Sequence, residues 1–189
     1  MLEVCSKTNS QLSIIMKYFT QTELVKCFCE KKQDRCAECL LKGPVKKLPQ
    51  GVEEALEALV VNVLDPAREE IKRPVFITSA FRCPNHNTKV GSKPTSQHIK
   101  GEAADIYVGT PEENLELAKI LAKQNRFDQM ILYTNSPDSL APRFIHVSYK
   151  RPSTLRAGSE TAGSGTDPNR HRILKQVAGT TGYEVVPKL

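Results

Sequence analysis

The sequence predicts an α+β domain, a small and mostly antiparallel sheet with helices packed on one side. Three observations carry that expectation. Two helix-forming stretches come first, and short segments rich in β-branched and aromatic residues follow with one further helix among them. Pro, Gly, Asn and Ser punctuate the joints between these stretches. At 189 residues the chain suits one domain with a real hydrophobic core.

Residues 1–15 show neither a helical nor a strand period and are expected to form a disordered leader, so that a single domain spans 16–189. Thr20 with Glu23 has the form of a capping box, and a short helix is expected over about 21–30. Residues 27–50 hold most of the cysteines, with Gly43-Pro44 and Pro49, and are read as a loop-like insertion. A longer helix is expected over about 51–69, because Val52, Leu56, Leu59, Val60, Val63 and Leu64 recur at helical spacing. Pro66 inside that pattern should kink it or begin a final turn. Strands are expected at 74–79, 103–108, 127–133, 144–149 and 183–186. Thr110-Pro111-Glu112-Glu113 starts a helix to about 124, with Thr as cap and Pro in the first position. Residues 81–100 read as loop or short helix, 152–168 as a flexible Ser/Gly-rich loop, and 169–177 as a short helix.

Composition narrows the function. Hydrophobic residues at 39% and charged residues at 25% are those of a globular protein. No run approaches the ~18 apolar residues of a membrane-spanning helix. The apolar stretch around Ile14, Ile15 and Met16 is too short for a secretion signal, so synthesis in the cytoplasm without a signal peptide is expected, with release by some other agent if the protein acts outside the cell. The net charge of +6 is diffuse, with short runs at Lys46-Lys47 and Arg170–Lys175. It suits anionic partners in general, and nucleic-acid binding is not expected from it. A monomer is expected. Of six cysteines, Cys27, Cys29, Cys36 and Cys39 are spaced closely enough for a small structural zinc knot, although the one-residue gap makes two-thiolate chelation awkward. Disulfides and free thiols remain open beside that reading.

The chemistry lies in the histidines, of which there are four: 86, 98, 146 and 171. In Ser96-Gln97-His98-Ile99-Lys100-Gly101-Glu102-Ala103-Ala104-Asp105, alternation along a strand puts Ala103 and Asp105 on one face. The small alanines leave space there, and Gly101 permits a bend that brings His98 back over Asp105, where the two can share one ion. His146 alternates with apolar residues in Phe144-Ile145-His146-Val147-Ser148-Tyr149, as either a core histidine or a third ligand.

The pattern Ser-x-His-x-x-Gly-x-Ala-x-Asp over Ser96–Asp105, with the later His146-Val147-Ser148, resembles the zinc D-Ala-D-Ala carboxypeptidases, vancomycin-resistance dipeptidases and phage L-alanyl-D-glutamate endopeptidases. Lys17-Tyr18-Phe19-Thr20 with Glu23-Leu24, Val63-Leu64-Asp65-Pro66 with Arg68-Glu69, Thr78–Arg82, and Phe127-Asp128-Gln129 look like the carboxypeptidase-like branch of the same family. The resemblance covers most of 16–150 and implies a hedgehog/D-Ala-D-Ala peptidase-like fold. It further implies that His98, Asp105 and His146 bind a catalytic Zn²⁺, leaving a fourth position open. Arg82 would hold the substrate by its carboxylate through a bidentate fork, with a surface salt bridge as the alternative. Ser96 would line the pocket or orient a ligand. The implied partners are peptidoglycan stem peptides, cut next to a D-amino acid, and the implied setting is a phage-type lysis enzyme.

The sequence departs from the family at the general base. Many members place an acid three residues before the last histidine, where Arg143 stands, and a second position that offers an acid is Tyr133. Asp128, Glu102 and Asp138 are the remaining carboxylates, and Asp128 is favoured because an acid opening an apolar strand needs a reason to be there, a turn or capping role being its alternative. Two other functions compete with a zinc peptidase: a zinc-holding binding module that has lost catalysis, as hedgehog signalling domains illustrate, and a basic, cysteine-rich nucleic-acid binder.

Overall fold

The computed structural model describes residues 16–26, 48–49, 51–152 and 167–189. The expected 1–15 leader, Cys27, Cys29, Cys36 and Cys39, and nearly all of the 152–168 loop lie outside the described residues. No helix among the described residues is long and apolar enough to cross a membrane.

The first helix, α1 (Gln21–Leu24), starts at the capping box that the sequence shows: the Thr20 hydroxyl accepts from the Glu23 N–H while Glu23 reaches back to the Thr20 N–H. The long helix is three joined pieces, α2 (Val52–Leu59), a π-helical segment (Val60–Leu64) and α3 (Asp65–Ile71). Pro66 sits in the first turn of α3. A proline ring clashes with the carbonyl four residues back, and the widened π segment just before it is where that clash is relieved without breaking the rod.

Asp65 ties this rod to the N-terminal strap. Its buried carboxylate accepts the backbone N–H groups of Lys17 at 2.7 Å and Tyr18 at 3.1 Å, and Arg68 Nη1 donates to the Tyr18 carbonyl at 3.0 Å. The two motifs at 17–20 and 63–69 therefore meet in space and hold the fold rather than the chemistry. Asp65→Ala should cost about 1–3 kcal/mol for each orphaned donor, read as a lowered Tm.

The sheet has six strands: β1 (Phe76–Ser79), β2 (Ala103–Tyr107), β3 (Gln129–Thr134), β4 (Pro142–Ser148), β5 (Arg172–Val177) and β6 (Glu184–Val185). Their order is β1-β2-β4-β3-β5-β6, antiparallel throughout except for β3 with β5. A short helix, α4 (Pro84–Lys89), follows β1, and α5 (Pro111–Gln124) joins β2 to β3 with the expected Thr110 capping box. Side chains alternate across a strand. Ala104, Ile106, Met130, Leu132, Ile145 and Val147 bury one face in a core shared with Leu56, Leu59, Val60, Leu117 and Leu121 of the helices. Asp105, Ile131 and His146 take the other face, in register with one another across β2, β4 and β3.

The expected helix over 169–177 is not formed; that segment is β5. Arg172 to Val177 contains acceptable helix formers, but β3 has a strand edge to satisfy, and six residues pair with it in parallel. Pairing and burial of Leu174 outweigh a weak local preference.

Candidate metal centre

Each part of the site is positioned by a simple local device. After α4, turns at 93–101 lead into β2, and Gly101 closes them with φ +72°. A Cβ at Gly101 would sit 2.7 Å from the Val52 carbonyl oxygen, so backbone conformation and close packing both require glycine. The bend returns His98 over the sheet. The Ser96 hydroxyl accepts from the His98 N–H at 3.3 Å, so Ser96 shapes the turn as well as lining the cleft.

His98, Asp105 and His146 are all buried and converge on one point. His98 Nε2 lies 3.1 Å from His146 Nδ1 and 3.2 Å from Asp105 Oδ1, and His146 Nδ1 lies 2.9 Å from the same oxygen. These edges are close to the roughly 3.3 Å expected between ligand atoms of a tetrahedral zinc with bonds near 2.0–2.1 Å. The other nitrogen of His98, Nδ1, faces the Ala80 carbonyl at 2.7 Å. An N–H donated there leaves Nε2 as a lone pair aimed at the carboxylate and the second imidazole, an arrangement a cation satisfies. Burial lowers the His98 pKa against the pull of Asp105, which favours the neutral ligand form. Burial works to raise Asp105, but the histidines outweigh it and its pKa is lowered.

Arg82 stands behind the carboxylate. Its Nη2 pairs with Asp105 Oδ2, the oxygen turned away from the histidines, and its Nε donates to Ser79 Oγ at 2.7 Å. It also lines the cleft. An orienting contact to a ligand typically matters 10–100-fold in metal affinity or activity. Arg82→Lys, which cannot reproduce the fork, should therefore weaken zinc binding by about that factor, as read by competition with a chelator.

The carboxylate favoured from sequence as general base is placed elsewhere. Asp128 has no exposed surface. Its oxygens accept from Arg170 N at 3.1 Å, Arg170 Nε at 2.8 Å, Arg170 Nη2 at 2.7 Å and Gln97 Nε2 at 3.0 Å, and Lys150 Nζ lies 3.3 Å away. Burial opposes its charge, yet these donors hold its pKa down at about 2. A carboxylate so committed is a poor proton acceptor, and it does not line the cleft. Asp138 lies exposed between β3 and β4. Arg143 falls at a β-bulge opposite Tyr133/Thr134, with its guanidinium 5.6 Å from the centre of the Phe144 ring.

A cleft of about 940 Å³ lies over the His98–Asp105–His146 cluster. Glu102 and Asp105 are the carboxylates among the described residues that line it. Tyr133 lines it too, stacked on Phe144 with ring centres 4.4 Å apart. Burial and contact with Tyr183 raise the Tyr133 pKa, so its hydroxyl is a proton donor and not a substitute base. Sequence reasoning missed Arg170, Lys150, Gln176 and Tyr183, which also line the cleft.

No curated protein matches the chain. The profile of the family described as Peptidase M15 matches residues 17–148, which include His98, Asp105, His146 and Arg82 and amount to well over half of the 189 residues. The chain belongs to the peptidase M15 family.

Proposed function

We propose that the protein is a zinc peptidase that hydrolyses peptidoglycan stem peptides next to a D-amino acid. The observation that carries this reading is the buried His98–Asp105–His146 triangle at a peptide-sized cleft in a peptidase M15 chain. Zinc in such a site supplies Lewis acidity towards a peptide carbonyl and makes water acidic enough to attack near neutral pH. The donors of Arg82 not used by Ser79 and Asp105 take a substrate carboxylate. The protonated Tyr133 hydroxyl donates to negative charge developing on the carbonyl oxygen. Glu102 accepts the proton of the attacking water and returns it to the leaving amine as the C–N bond breaks. Ser96 holds the His98 turn at the cleft wall.

The binding-module reading keeps one specific support: Arg143 stands where an acid is expected, and Asp128 is engaged elsewhere. Digestion of purified cell walls followed by mass spectrometry of the muropeptides separates the two. Cleaved stem peptides, with the bond identified, support the peptidase. Intact walls that nevertheless bind the protein support the module.

A further inference from the structure

Among the described residues, two cations, Arg170 and Lys150, pair with the one buried carboxylate of Asp128. Arg170 commits its backbone and side chain to Asp128 through three hydrogen bonds. An ammonium carries three donors, and Lys150 Nζ lies 3.3 Å from Asp128 Oδ1. Lys150 also lines the cleft. Its place is built and not incidental: Asn169 Oδ1 accepts the Lys150 N–H at 2.8 Å, and Asn169 Nδ2 donates to the Lys150 carbonyl at 3.2 Å.

This construction lies outside the stretch matched by the family, since Lys150, Asn169 and Arg170 all follow residue 148. It is nevertheless coupled to the metal loop, because Gln97, adjacent to His98, donates to Asp128. The Asp128 N–H bonds the Ser148 carbonyl at 2.7 Å. Ser148 is two residues along β4 from His146, or about 7 Å of strand. An extended peptide spans about 3.3–3.6 Å per residue, so a group held at Lys150 belongs two or three residues from the bond at the metal.

We propose that Lys150, braced by Asp128, Arg170 and Asn169, forms a second anion subsite that takes a carboxylate of the substrate two or three residues from the scissile bond. The proposal rests on the peptidase reading and narrows its substrate to peptides with two carboxylates. One is met by Arg82 beside the metal and one by Lys150 further along the cleft. A D-glutamate whose α-carboxylate is free offers that second group, and its amide does not.

The test uses zinc-loaded full-length protein and two synthetic peptides, L-Ala-γ-D-Glu-L-Lys-D-Ala-D-Ala with the glutamate α-carboxylate free or as the primary amide. Calorimetric Kd values are compared for wild type, Lys150→Met and Lys150→Arg. A charge-assisted hydrogen bond predicts a preference of about tenfold for the free carboxylate in wild type. The ratio should collapse to about one in Lys150→Met and persist in Lys150→Arg. Folding is not at stake, because Asp128 keeps all its bonds from Arg170 and Gln97. Equal affinities in wild type, no binding of either peptide, or a preference that survives Lys150→Met would each overturn the subsite. Peptides bound with the expected preference and never cut would overturn the peptidase assignment and leave the subsite standing. Cleavage with no preference would do the reverse.

Discussion

Asp105→Ala should abolish peptide hydrolysis and weaken zinc binding by more than the 10–100-fold typical of an outer-shell contact. The substitution removes the one oxygen that approaches both His98 Nε2 and His146 Nδ1. It also leaves the partly buried Arg82 guanidinium without its carboxylate. Truncating one partner of a fully buried pair costs about 3–5 kcal/mol and less for this partly exposed one, so the variant should also be less stable, and its circular dichroism must be checked beside its zinc content. Arg82→Met with Asp105→Ala separates the two effects. If stability returns while zinc does not, the carboxylate is a ligand as well as a fold contact. Zinc bound by Asp105→Ala with wild-type affinity would remove Asp105 from the metal site.

Glu102→Gln should lower hydrolysis by about 10²–10⁴-fold, the usual contribution of a positioned general base, while zinc stays bound. Of the carboxylates considered from sequence, it alone lines the cleft without belonging to the ligand triangle. The substitution keeps size and hydrogen-bonding shape and removes only the ability to hold the water proton. Asp128→Asn is the matched comparison. It should act on stability, since it breaks the network with Arg170 and Gln97. If Glu102→Gln hydrolyses stem peptides at the wild-type rate, the proton goes elsewhere and the role assigned to Glu102 fails.

The approach of His98 to Asp105 was legible because its steps are local: the Gly101 bend and the alternation that pairs Ala103 with Asp105 lie within ten residues. The capping boxes at Thr20 and Thr110 were legible for the same reason. His146 stood open between core residue and ligand and joined the set through the family resemblance, since it lies 41 residues from Asp105 and reaches it by the pairing of β2 with β4. What could not be read is long-range. Asp128 stands as a solitary acid in the sequence, while its partner Arg170 is 42 residues away on a segment whose residues also suit a helix. Only the parallel pairing of β5 with β3 brings the two together. Arg143 misleads in another way, because counting three residues back from His146 assumes a regular strand and a bulge intervenes. Pro66 is expected to kink its helix or begin a final turn, and it stands in the first turn of α3 directly after the π segment.

The most direct test of the account is the zinc content of the chain with Cys27, Cys29, Cys36 and Cys39 replaced by serine, so that the cysteine cluster cannot hold the ion. One zinc per chain in this parent, and none when His98→Ala is added, is the predicted result. Equal zinc in the two proteins would contradict a metal centre at His98, Asp105 and His146.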